Sequence, residues 1–169
     1  MASIANISDY PISEDALTLR NMLQRVLSTV VGAFEAHGVP LPSRQYWTFG
    51  RPAEDCDQVV VSFIQSYLGI PGDQASTPQR CSGPRSAVLN VSISRKFPIG
   101  QNGKPVNPER IEEANEWNAV DTQVLLNTLN DFDTWNDYGP GLGVIATINS
   151  ADAGGGIITI NMNLTMAIG

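Results

Sequence analysis

The segment Ala87 to Phe97, AVLNVSISRKF, alternates residue by residue, with Ala87, Leu89, Val91, Ile93, Arg95 and Phe97 on one side. Val88, Asn90, Ser92, Ser94 and Lys96 fall on the other. A period of two marks a strand whose one face packs on a core while the other meets solvent or a neighbour. Upstream, Gln58 to Tyr67 (QVVVSFIQSY) reads as a second strand, rich in β-branched and aromatic residues. The two are joined by a long Pro/Gly-rich excursion, Gly69 to Ser86, carrying Pro71, Pro78 and Pro84. Connections of that length are functional or disordered as a rule, and prolines lower the entropy lost when one is ordered.

Working outward, Leu19, Leu23, Val26, Leu27, Val30, Val31 and Phe34 recur at steps of three and four, which predicts an amphipathic helix. Ser13 serves as its N-cap, with Glu14 and Asp15 at the positive end of the dipole; Gly38 closes it, and Pro40 and Pro42 prevent its return. A short strand near Gln45 to Phe49 follows. Asn107 with Pro108 opens a second helix, read to Phe132, whose expected buried set is Trp117, Val120, Val124, Leu125, Leu129 and Phe132. Leu142 to Asn149 and Gly156 to Ile168 read as a closing hairpin turned at SADAGG. The order α-β-β-β-α-β-β predicts one α+β domain over residues 1–169: about five mostly antiparallel strands, two long helices on one face, and an N-terminal arm over 1–12.

Composition narrows the function. Of 169 residues only 16% are charged, against about 25% in a typical soluble protein. Asn, Gln, Ser and Thr therefore make up much of the surface, which suits contact with other protein. A net charge of -7 opposes nonspecific binding to nucleic acid, whose phosphates require a Lys/Arg surplus. The N-terminus has neither a basic n-region nor an apolar h-region, and the chain contains no apolar run of spanning length, so the expectation is assembly in the cytoplasm without a membrane partner.

The groups that usually carry chemistry are sparse. The single histidine, His37, falls at the end of the first helix, where a cationic side chain is favoured by the dipole. Two cysteines and one histidine leave a closed zinc site one ligand short. Asp131, Asp133 and Asp137 imitate the opening of a calcium loop, but Trp135 occupies a ligand position and the turn glycine and closing Glu are missing. Gly139 and Gly155 sit in turns without the Lys-Ser/Thr of a phosphate loop. Cys56 and Cys81 lie at the starts of strands that a hairpin would run in opposite directions, separating them by roughly 30 Å. A disulfide between them requires the long connection to fold back along the sheet; two reduced thiols are the alternative. Neither catalysis nor a cofactor is expected.

The run DCDQVVVSFIQSYLGIPG, Asp55 to Gly72, with PQRCSGPRSAVLNVSISRKFPI, Pro78 to Ile99, resembles the central segment of the tail terminators of long-tailed actinobacterial phages, also called tail completion or head-to-tail neck proteins. The resemblance is close from Gln45 to Phe132 and covers the remainder in its order of elements. It implies a lambda-type terminator fold and a structural virion protein. Such a protein forms a six-membered ring that caps the tail tube and joins it to the head connector or stopper, with DNA only passing through the channel. A head-completion (stopper) protein or a tail-tube subunit shares this composition, and a small enzyme or ligand-binding domain using Asp55, Asp57 and the cysteines is the alternative of another class. For the ring, the expected subunit or tube contacts are Arg80 and Arg85 in the long connection, with Asn90, Ser92, Asn161 and Asn163 on the polar strand faces.

Overall fold

The computed structural model describes residues 14–53, 55, 57–72, 85–100, 105–133, 144–150 and 155–168. In chain order the elements are α1 (Glu14–Ala36), β1 (Arg44–Phe49), β2 (Gln58–Leu68), β3 (Arg85–Lys96), α2 (Pro108–Asp133), β4 (Ile145–Ser150) and β5 (Ile157–Ile168). The fold is α+β, as the order of apolar patterns predicts. The strands form one sheet in the order β1-β2-β3-β5-β4, antiparallel throughout except for β1 against β2.

Both helices lie on the same face of this sheet, because only one face is apolar. Val59 and Val61 of β2, Leu89, Val91 and Ile93 of β3, and Ile160, Met162 and Leu164 of β5 join Leu23, Val26, Val30 and Phe34 of α1 and Val124, Leu125 and Phe132 of α2 in one buried cluster. The helix ends are built as the residue types dictate. Gly38, at φ 63°, donates to Glu35 O (3.1 Å), and Val39 donates to Phe34 O (3.0 Å), a Schellman closure that only a residue at ease in the left-handed region completes without strain. At the start of α2, Asn107 Oδ1 accepts from the Glu109 amide (3.1 Å), so Asn107 is the N-cap with Pro108 behind it. Ser13 lies outside the described residues.

The buried stripe of α2 differs from the apolar one. Trp117 and Val120, expected in the core, are 37% and 38% exposed, while Asp121 and Thr128 are fully buried. Asp121 turns inward because β3 presents Arg95 on its apolar face. Arg95 Nε and Nη2 donate to the two Asp121 oxygens (2.6 and 2.8 Å), and Nη2 also donates to Pro40 O (2.9 Å). With the carboxylate filling the seam, Trp117 is displaced to its edge, where its ring lies 5.4 Å from the Arg95 guanidinium carbon.

The parallel pair β1–β2 is the other departure, since the remaining sequence neighbours in the sheet pair as hairpins. Parallel neighbours need a crossover, usually of about a dozen residues or more; here only Gly50 to Asp57 carry the chain back along β1. Asp57 makes the final turn at φ 64°, a conformation that Asp tolerates better than most residues with a Cβ. Its Oδ2 accepts from the Ser43 amide (3.0 Å), its own carbonyl accepts from the Arg44 amide (3.2 Å), and Arg44 pairs with Asp55.

Candidate functional site

The helix-free face of the sheet gathers the polar half of every strand. Register fixes which residues meet: Ser62, Asn90, Asn163 and Thr147 form one row across β2, β3, β5 and β4. Val60, Ser92, Asn161 and Asn149 form the next, and Gln58, Ser94 and Thr159 a third. Four of the residues expected at a contact surface, Asn90, Ser92, Asn161 and Asn163, thus come together at the centre of one face. Arg85 is at the far end of β3, paired with Leu68 and Ile168. Arg80, Cys56 and Cys81 lie outside the described residues.

These side chains bond to one another. Asn90 Nδ2 donates to Asn163 Oδ1 (3.0 Å), Ser92 Oγ lies within hydrogen-bond reach of both Asn90 and Asn161 (2.8 Å to the latter), and Ser94 and Thr159 share a hydroxyl contact of 3.0 Å. The Ser92 hydroxyl has one proton and faces two amide oxygens, Asn90 Oδ1 and Asn161 Oδ1, so it donates to one of them at a time. Gln58 Nε2 donates to Ala53 O (2.8 Å), and Tyr46 Oη donates to Gln58 Oε1 (3.3 Å). Mutual bonding explains how Gln58, Ser62, Ser92 and Ser94 are buried on a face that no helix covers.

The Gln58–Ala53 bond holds the β1–β2 connection over this face and turns it into a trough. Gly50, Arg51, Pro52 and Ala53 make one wall above a floor of Gln58, Ser62, Asn90, Ser92, Ser94, Thr159 and Asn161, with Ile64 and Ile157 at its margins, enclosing about 670 Å³. Among the described residues no Asp, Glu, Lys or Arg stands in its floor, while Arg51 stands in its wall. Its floor offers amide and hydroxyl donors and acceptors, with the Arg51 guanidinium in the wall beside them.

The sequence pattern of β3 and β5 was enough to indicate the centre of this floor. Gln58 and Ser62 were missed because the VVV run of β2 hides alternation, and the wall at Gly50–Ala53 because nothing local marks a connection that doubles back. Among the described residues, no group of three or more His, Cys, Asp or Glu is gathered as a metal site. His37 stands just beyond α1, its Nε2 3.0 Å from Asn127 Nδ2, tying the end of α1 to α2. Asp131 is on α2, while Asp137 and the turns at Gly139 and residues 151–154 lie outside the described residues. No described helix is long and apolar enough to cross a membrane.

Two carboxylates are perturbed in opposite directions. Burial pushes the Asp121 carboxyl above the ordinary carboxylate range, with the bidentate Arg95 guanidinium pulling it back. Hydrogen bonding from Ser43 holds Asp57 below that range, aided by the nearby Arg95 and Lys96 charges and opposed by partial burial. Both lie at the Gln58 end of the sheet, but Asp121 is on the helix side and sealed from the trough. Neither any protein-family model nor any curated protein matches this chain.

Proposed function

We propose that this chain is a structural assembly protein of a phage virion, a tail terminator that closes into a ring on the last ring of the tail tube and presents its other side to the head connector. The observation that supports an assembly role is the trough: among the described residues, a floor of short, mutually bonded, uncharged side chains on the sheet face opposite the helices. Covering Asn, Ser and Thr costs little rotamer entropy, and the absence of charge in the floor removes a large desolvation penalty, so a protein partner is accommodated cheaply there. The terminator assignment rests on the resemblance of Asp55–Gly72 and Pro78–Ile99.

The mechanism is steric. A ring closed by heterologous contacts leaves one rim for the tube and one for the connector. Its net charge of -7 per copy keeps passing DNA from adhering. Light scattering and negative-stain imaging, with and without the candidate tail-tube protein, test the reading. Sixfold rings, or tubes with arrested growth and capped ends, are expected. A strict monomer that neither assembles nor binds tube ends overturns it. Replacing Arg80 and Arg85 together by Glu is expected to leave the monomer folded and impair assembly; undiminished assembly removes both the long connection and the Arg85 end of β3 from the contact.

A further inference from the structure

We infer that copies of this chain join edge to edge, with β1 of one copy pairing antiparallel with β4 of the next. The inference deepens the assembly reading, on which it rests, by naming the contact that closes the ring.

The sheet ends at β1 on one side and at β4 on the other, and among the described residues no strand lies beyond either. Which main-chain groups face outward follows from the bonds already made. Arg44 N donates to Asp57 O and Gly50 N to Phe63 O (3.2 Å each), so the even residues of β1 point to β2, and Gln45, Trp47 and Phe49 point away from the sheet. Phe97 N donates to Gly156 O (2.7 Å), which directs the even residues of β5 to β3 and its odd residues to β4. Thr147 and Asn149, opposite Asn163 and Asn161, therefore point to β5, and Ala146, Ile148 and Ser150 point outward. Among the described residues only the Thr48 hydroxyl reaches one of these outward groups, Phe49 O at 3.3 Å.

Neither edge is blunted. Natural sheets guard a terminal strand with charge, proline or a bulge. Residues 45–49 and 145–150 include no charged residue, proline or glycine, and both strands run in unbroken register with their inner neighbours. Arg44 stands at the start of β1 and is held by Asp55. Large apolar side chains are exposed on both edges, Phe49 at 55% and Ile145 at 46%. Open N–H and C=O groups with such flanks are a template for another strand.

Geometry chooses the occupant. β1 runs with β2 and β5, while β3 and β4 run the other way. A rotation that closes a ring about an axis along the strands carries those directions unchanged into each copy. β4 of one copy then meets β1 of the next antiparallel, with the helices of both on one side. Facing side chains must share a face, and Trp47, Ala146 and Ile148 all pack on the helix side. Two registers share the longest overlap. The one that keeps Arg44 out of the ladder sets Phe49 opposite Ala146, Trp47 opposite Ile148 and Thr48 opposite Thr147. Large side chains then meet small or branched ones, and threonine meets threonine, both favourable cross-strand pairs. Pairing β1 with β1, or β4 with β4, stops at a dimer and leaves the other edge open; β1 with β4 leaves none.

The test mixes two full-length preparations, isotopically light Thr48→Cys and heavy Thr147→Cys, under mild oxidation with and without the candidate tail-tube protein, and maps disulfides by mass spectrometry. Facing residues of an antiparallel pair have Cα atoms about 4.5–5.5 Å apart, inside the disulfide range of roughly 4.4–6.8 Å. A bond from position 48 of light chains to position 147 of heavy ones is expected. Phe49→Lys, which charges the edge, is expected to lower its yield about tenfold or more. Gln45→Pro, which removes an outward donor and spares the bonds to β2, is expected to do the same. Phe49→Lys keeps the test valid if Gln45→Pro fails to fold. No such bond, bonds confined to 48 with 48 or 147 with 147, or a yield indifferent to Phe49→Lys overturns the inference. Sixfold rings without the bond leave the ring reading standing alone. The bond without rings or capped tubes leaves the edge pairing standing and removes the ring.

Discussion

The two faces of the sheet hold their polar groups by opposite means. On the helix side one ion pair, Arg95 with Asp121, is enclosed in an apolar layer; on the open side amides and hydroxyls bond laterally in rows without any charge. Taking a charge out of water costs several kcal/mol and is tolerated only with full pairing, which Arg95 provides through two bonds to the carboxylate, a third to Pro40 O and its stacking on Trp117. The neutral rows need no such enclosure. One face is therefore committed to its own ion pair, and the other carries a neutral network, the surface proposed above for assembly.

The strongest way to break this contrast is at Arg95. Arg95→Ala strands a fully buried carboxylate and is expected to cost about 3–5 kcal/mol in denaturant unfolding. The double variant Arg95→Met with Asp121→Leu is expected to lie within about 1 kcal/mol of the parent or above it. A single variant that costs no more than the double would show that Asp121 has another partner. Next in size is Asp57→Ala at the hinge of the parallel pair, with about 1–3 kcal/mol expected from the strained φ together with the lost Ser43 bond. Asp57→Gly, which relieves the backbone, is expected to be milder; equal losses would remove backbone strain from the account. On the open face Ser92→Ala is expected to cost about 0.5–1.5 kcal/mol, a neutral hydrogen bond's worth, and to leave the fold unchanged by circular dichroism.

The pH dependence sharpens the same comparison by sign. Asp121 has a folded pKa above its unfolded value near 3.9, so its ionised form is disfavoured by folding. As pH falls through the folded pKa toward about 4, the parent is expected to gain stability relative to Asp121→Asn. Asp57 has a folded pKa below that value, so its contribution is present above about pH 4 and is lost as pH falls through the folded pKa. The parent is then expected to lose ground against Asp57→Asn. Unfolding curves of the three proteins at a series of pH values read both slopes, and slopes of the same sign would refute the assignment of one or the other.

Legibility in the sequence followed the range of the interaction. Helix starts and stops, the five strands and the α+β class were readable because caps, prolines and two-residue alternation act within a few residues. The centre of the open face was readable for the same reason, since Asn90 and Ser92, or Asn161 and Asn163, share a side of one strand. Trp117 and Val120 were misplaced because apolar periodicity gives no warning that a distant arginine will draw Asp121 into the stripe. The parallel pairing of β1 and the wall it raises over Gln58 carry no local mark, apart from an Asp at a turn.

Local sequence sets which residues form strands and helices and which side of each strand is polar, because those choices depend on backbone sterics and on neighbours two to four residues away. That β5 lies between β3 and β4, that Asn and Ser side chains of separate strands bond in rows, and that Arg95 meets Asp121 are outcomes of the folded chain as a whole. Those outcomes join residues 26 to 73 positions apart. At such separations the partner is selected by the simultaneous closure of the whole sheet and its helices, and no local preference encodes it.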